Sequence, residues 1–195
     1  MKELVIATKN RDKLREIVQL LPKDLYKIKS LFDFQNIPNI IEDKNTLEGN
    51  SIKKAKEVFQ ATNVLTLADD TGLEVYYLNM EPGVYSARYA GENATYQDNV
   101  EKLLKSLKGV APRRRNAKFR TSVAIVDSGI LKTCEGFIEG IIIEEPRGKN
   151  GFGYDSIFIP NGSNKTYAEM DLKEKNIFSH RSFAFNKAVE LLNPL

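Results

Sequence analysis

Residues 64–78 read VLTLADDTGLEVYYL, and the way this stretch is understood decides the fold. Two apolar, strand-like runs, 64–68 and 73–78, flank the adjacent acids Asp69 and Asp70. Aspartate is depleted in strands and costly to bury unpaired, so the pair is either a surface turn or a place where charge is bound. On an extended chain successive side chains point to opposite faces, so both acids reach one site only if the strand bends; Thr71-Gly72 offers that bend. With Glu42 from the loop 39–43 available to join them, the acids supply the hard oxygen ligands that Mg²⁺ takes when it bridges protein to phosphate. On these residues alone the turn and the metal site are equally favoured.

Outward from this stretch, helix and strand patterns alternate. A strand over 3–7 precedes Leu14, Ile17, Val18 and Leu21 at helical spacing, stopped by Pro22. A short strand is expected at 25–28. Asn45 and Glu48 read as a helix cap ahead of Ile52, Ala55, Val58 and Phe59, and Thr95 and Asp98 as the start of another helix with Gly109 at its end. Two long strands, 117–127 and 130–143, are joined across Asp127-Ser128-Gly129 as a hairpin. A strand at 156–159 and a helix from Ser179 to Leu192 complete an α/β pattern with a mixed sheet. No repeat or linker divides it, and a single domain over 1–195 is expected.

Composition excludes several classes. At 42% apolar and 28% charged residues, with no apolar run long enough to span a bilayer, the chain is expected to be soluble and to have no membrane partner. Met1 runs directly into a strand without an export signal, so the cytoplasm is the expected compartment. Twenty-nine basic against 26 acidic side chains leave only +3, too little to argue for nucleic acid. The basic run 112–120 lacks interleaved aromatics and reads as a solvated loop. The one cysteine, Cys134, has no disulfide partner within the chain, and one His with one Cys is too few for a zinc site.

Charge nevertheless collects locally. In ATKNRDKLREI, 7–17, a strand-to-helix turn aims backbone N–H groups and the positive helix end at one spot, and Lys9, Arg11 and Lys13 add cationic charge suited to phosphate; no Walker loop is present, and from this segment alone a solvated helix start capped by Asn is the favoured reading. In GKNGFGYDSIF, 148–158, glycines allow a close approach, aromatics offer a stacking surface for a base, and Asp155 can accept from N–H groups; the alternative is a tight turn with its aromatics tucked into the core. At the last helix, His180 and Arg181 occupy the first turn, where the helix dipole disfavours cations; a bound anion would resolve the conflict.

Taken in order, Thr8-x-Asn10-x-x-Lys13, Asp69-Asp70-Thr71-Gly72-Leu73, PGVYSARYAG at 82–91, GFGYD at 151–155 and Ser179-His180-Arg181 resemble the inosine triphosphate pyrophosphatase family, from residue 4 to about 190. The resemblance implies an elongated mixed sheet flanked by helices, two lobes around a central cleft, a homodimer, Mg²⁺ as cofactor, and hydrolysis of noncanonical purine nucleoside triphosphates (ITP, dITP, XTP) to the monophosphate and pyrophosphate. It also implies residue roles. Thr8, Lys9, Asn10, Arg11, Asp12 and Lys13 correspond to the phosphate-binding segment, assisted by Lys54. Asp70 corresponds to the general base and a metal ligand, with Glu42 and Asp69 as further ligands, and Thr71 to a substrate contact. Phe152, Gly153, Tyr154, Asp155, Lys175, His180 and Arg181 correspond to the nucleotide pocket. Lys9, Thr71 and Gly49-Asn50-Ser51 depart from the family pattern, where glycine, serine and Glu-Asn-Ala are common. The competing readings are a nucleotide- or RNA-binding module without catalysis, and a pyrophosphatase for modified pyrimidine nucleotides.

Overall fold

A computed structural model describes residues 1–35 and 37–192; Asn36 and 193–195 of the expected 1–195 domain lie outside the described residues. Seven strands form one sheet among the described residues: β1 (Lys2–Ile6), β2 (Tyr26–Ser30), β3 (Thr66–Val75), β4 (Pro82–Gly83), β5 (Asn116–Asp127), β6 (Ile130–Ile142) and β7 (Phe158–Pro160). The strand order is β2-β1-β3-β5-β6-β7, with β4 paired to β3. The pairs β1·β2 and β1·β3 are parallel, whereas β3·β4 and β6·β7 are antiparallel, which makes the sheet mixed. Among the described residues five α-helices accompany it: α1 (Arg11–Leu20), α2 (Leu47–Thr62), α3 (Tyr96–Ser106), α4 (Leu172–Ile177) and α5 (His180–Leu192). The α/β class read from the sequence is the one observed. Among the described residues no helix is long and apolar enough to cross a membrane.

The chain forms two compact units, one from Met1–Asp70, Thr121–Gly136 and the residues from Arg181 on, the other from Thr71–Arg120 and Phe137–His180. The division falls inside β3, β5 and β6. In the first unit the period-2 alternation of the strands sorts side chains onto two faces. Leu4, Ile6, Leu67, Val123 and Ile125 pack with Ile17 of α1 and Ala184, Phe185 and Ala188 of α5. Val5, Ala7, Ala68, Ala124 and Val126 pack with Ala55 and Val58 of α2. Each large side chain buried this way contributes about 1.5–3 kcal/mol. The second unit has its own core, in which Val100 and Leu103 of α3 meet Leu73, Phe119, Tyr154, Phe158 and Tyr167.

Local signals set many boundaries. The Thr95/Asp98 capping box starts α3, and Gly129 takes φ +69 between β5 and β6. Several strand ends lie one or two residues from the sequence reading, as in β1 and β2, and four further differences have a local cause. The run 64–78 is not two strands around a turn: β3 continues from Thr66 to Val75 straight through both acids. Helix α2 is capped by Thr46 instead of Asn45, because the Thr46 hydroxyl accepts the Gly49 N–H at 2.9 Å. Helix α3 closes at Ser106, and Gly109, at φ +78, serves the turn beyond it. Strand β7 starts at Phe158 because Ile157 N–H donates to Tyr154 C=O and keeps 154–157 turned.

Candidate active site

Helix α1 begins where β1 runs out, and Asn10 fixes the junction. Its side chain accepts the N–H groups of Asp12 at 2.9 Å and Lys13 at 3.1 Å, while its own N–H donates to Thr8 Oγ1 at 3.1 Å. The six residues of this segment then part company. Lys9 donates to Asn39 at 3.2 Å, the Arg11 guanidinium lies 4.3 Å above the Phe32 ring, and Asp12 pairs with Arg15 at 3.3 Å. Lys13 turns inward, placing its ammonium 3.2 Å from Asp69 Oδ2.

The two aspartates are both buried, at 1% and 6% exposure, and face opposite ways. Asp69 follows Leu67 onto the α1/α5 face, where its Oδ2 meets Lys13 and, at 3.6 Å, the Nε of Arg181. Arg181 also pairs with Glu16 of α1 and is 1% exposed. Arg181, at the start of α5, therefore has its anions inside the protein, in Asp69 and Glu16, and its conflict with the helix dipole is met without a ligand. Burial alone would raise the Asp69 carboxyl, but Lys13, Arg181 and Lys54 outweigh it and hold Asp69 well below the usual carboxylate range.

Asp70 follows Ala68 onto the α2 face. Its Oδ2 accepts from Asn50 Nδ2 at 3.0 Å, and Lys54 of the same helix pairs with Glu42. Burial is the largest influence on the Asp70 carboxyl; Lys13 and Lys54 oppose it, Glu42 adds to it, and the net effect is upward. Neighbouring carboxyls are thus driven in opposite directions. Glu42 is itself lowered, because Lys54 and Lys13 overcome its burial. Lys54 is raised, burial notwithstanding, by Glu42, Asp70 and Asp69.

Among the described residues no three His, Cys, Asp or Glu side chains gather as one metal-binding group. Of the acids expected to bind Mg²⁺, Asp69 is engaged by Lys13 and Arg181, though its charge also bears on Glu42 and Lys54, and Glu42 and Asp70 are the hard-oxygen donors beside Lys54. Glu42 raises the Asp70 carboxyl, so two like charges bear on each other in a buried setting. A divalent cation relieves that repulsion, and the donor set fits one whose remaining ligands come from water and phosphate. Thr71, half-buried, continues β3 into the second unit.

In the second unit, Asp155 Oδ2 accepts the Phe152 N–H at 2.9 Å and the Lys175 ammonium at 2.5 Å. That ammonium lies 5.1 Å from the centroids of both Phe152 and Tyr167. Gly151, at φ +71, permits the turn: a Cβ there would sit 2.1 Å from Asp155 Oδ2. Gly153 also has a positive φ, +60, while Tyr154 is part of the core and donates its hydroxyl to Ser86 C=O at 2.9 Å. The His180 ring stacks on Phe119 with centroids 4.6 Å apart. The sequence reading missed Glu16, Asn50 and Tyr167. Glu16 carried a faint signal, an acid beside Ile17 on the inner stripe of α1; Asn50 stands where the family's Glu-Asn-Ala pattern also has Asn, and Tyr167 carried no signal.

A family model described as the Ham1 family matches residues 4–191. The dITP/XTP pyrophosphatase of Bacillus licheniformis is 47% identical over 194 residues, 99% of each chain, and that of Bacillus subtilis is 47% identical over 98% of each. A solved HAM1 protein from Coxiella burnetii is similar at a TM-score of 0.89, with 40% identity over 100% of both chains. Likeness of this extent in sequence and in structure leaves one conclusion: the chain belongs to the Ham1 family.

Proposed function

We propose that this protein hydrolyses noncanonical purine nucleoside triphosphates (ITP, dITP and XTP) to the nucleoside monophosphate and pyrophosphate, removing them from the nucleotide pool. The observation that carries the reading is the buried acid pair Asp69 and Asp70 on β3, set against Lys13 and Asn50 in a chain of the Ham1 family. Their surroundings hold Asp69 as an anion and raise the Asp70 carboxyl, which favours Asp70 as the group that takes a proton.

Asp70 takes the proton of the attacking water, whose oxygen bonds to the α-phosphorus as the bond to the β-phosphate oxygen breaks. Lys13 and Lys54 balance the charge that moves onto the departing pyrophosphate. Thr8 and Asn10 hold the segment that presents Lys13. Mg²⁺, held by Glu42 and Asp70, would supply further charge neutralisation on the triphosphate. By the resemblance, Phe152 and Lys175, the latter fixed by Asp155, are the residues that recognise the base, with Lys175 as a donor suited to the 6-oxo edge of hypoxanthine or xanthine. Adenine presents a donor there, and a site built on donors rejects such a mismatch by roughly 10⁴-fold. The resemblance to the inosine triphosphate pyrophosphatase family supports extending the proposal to a homodimer acting in the cytoplasm.

Purified protein with Mg²⁺ is expected to release pyrophosphate from ITP, XTP or dITP far faster than from ATP. Equal rates would overturn the base selectivity, and release of single phosphates would overturn the reaction class.

A further inference from the structure

Asn50 has no part in the chemistry above, yet it is 1% exposed and bonded on both sides of its amide. Its Nδ2 donates to Asp70 Oδ2 at 3.0 Å, and its Oδ1 accepts the backbone N–H of Lys44 at 2.9 Å. The orientation follows from chemistry: a backbone N–H only donates and an ionised carboxylate only accepts, so the amide oxygen must face Lys44 and its nitrogen Asp70. Lys44 lies two residues beyond Glu42, on the segment that approaches α2 through the Glu42–Lys54 and Asp43–Lys53 pairs. The fit there is close, since a Cβ on Gly49 would stand 2.9 Å from both Lys44 Cβ and Thr46 Oγ1. One buried amide thus ties the loop of Glu42 to the carboxylate of Asp70.

We propose that Asn50 is a positioning residue that sets the spacing and orientation of the Glu42 and Asp70 carboxylates for a divalent cation. The inference rests on the assignment of these two acids above. A residue that merely clipped the loop would need only its acceptor; the donor aimed at Asp70 is what gives Asn50 a role at the site. Groups that orient metal-binding side chains typically affect metal affinity or turnover by about 10- to 100-fold.

Two variants of the full-length protein separate the roles. Asn50→Asp keeps an acceptor for Lys44 N–H and removes the donor to Asp70; Asn50→Ala removes both. Turnover of ITP with Mg²⁺ and the KM for ITP are measured for both. Mn²⁺ binding without nucleotide, followed by loss of the free-ion electron paramagnetic resonance signal, is measured for Asn50→Ala. In both variants kcat is expected to fall about 10- to 100-fold with KM within about twofold of the parent, and Asn50→Ala is expected to bind Mn²⁺ about tenfold or more weakly. Parental kcat in Asn50→Asp, or unchanged Mn²⁺ affinity in Asn50→Ala, would overturn the proposal, as would a fall in thermal midpoint with neither change. A parent protein that binds Mn²⁺ but leaves ITP intact would overturn the proposed reaction instead, with the Mn²⁺ comparison still deciding the role of Asn50.

Discussion

On one face of β3, Asp69 meets two cations, Lys13 at 3.2 Å and Arg181 at 3.6 Å; on the other, one residue later, Asp70 meets the neutral amide of Asn50 at 3.0 Å. Residue type, strand and burial are shared, and only the elements packed above and below differ. Helices α1 and α5 bring a surplus of positive charge to Asp69. Asp70 also feels Lys13 and, from helix α2, Lys54, but Glu42 takes Lys54 as a partner and adds a negative charge of its own. A buried anion with surplus cations is a clamp between elements, whereas one whose compensation is shared is costly to keep ionised and ready to take a proton. The pleat lets the chain place both at consecutive positions.

The largest expected effect tests this split. Asp70→Asn should lower the rate of pyrophosphate release by about 10³-fold or more, with thermal stability held or slightly increased, since a buried carboxyl shifted upward is replaced by a neutral isostere. Asp69→Asn should act on stability instead. It removes the carboxylate nearest Lys13 and one of the two anions of Arg181, at a cost of about 3 kcal/mol read from the urea midpoint. The comparison breaks if Asp69→Asn abolishes turnover at parental stability while Asp70→Asn remains active.

A smaller effect of opposite sign on the two faces follows from linkage. The folded Asp69 carboxyl lies below its unfolded value of about 3.9, so its stabilisation is present above that pH and is lost as pH falls toward the folded value. The folded Asp70 carboxyl lies above that value, so its contribution is present below about pH 3.9 and is lost as pH rises through the folded value. In EDTA, the stability advantage of the parent over Asp69→Asn should therefore shrink on acidification from about pH 5 to pH 3, while its balance against Asp70→Asn improves. Parallel slopes would show that the two carboxyls share one environment.

What could be read from the sequence was what short stretches determine. The Thr95/Asp98 capping box, the turn at Ser128-Gly129 and the apolar spacing of α1 each involve residues within a few positions of one another, and each stands close to where it was expected. The grouping of Lys13 with the acids was foreshadowed by charge type alone. The partners were not, because Glu16 and Arg181 are 165 residues apart and Asn50 and Asp70 are 20 apart, distances over which no periodicity carries information. The continuous β3 illustrates the same gap. Adjacent aspartates argue for a turn as long as nothing is known of what will neutralise them, and Lys13, Arg181 and Asn50 come from three different helices.

Cys134 provides the finest probe of whether the faces of β3 respond separately. It lies in β6, packs against the apolar cluster of α1 and α5, and donates its thiol to Ala184 C=O of α5 at 3.4 Å. Burial pushes the thiol up to about 11, so at pH 8 little thiolate exists and alkylation by iodoacetamide should be slow in the parent. Removing the Asp69 charge weakens the seat of Arg181, the second residue of α5, and eases local opening of that helix. If about 1.4 kcal/mol of the lost clamp reaches the Ala184 contact, Asp69→Asn should be alkylated about tenfold faster than the parent. Asp70→Asn, whose partner Asn50 lies on α2, should be alkylated at the parental rate. Equal acceleration in both variants would mean that the charge on either face of β3 supports α5, and the division of labour between the two aspartates would then be confined to their chemistry.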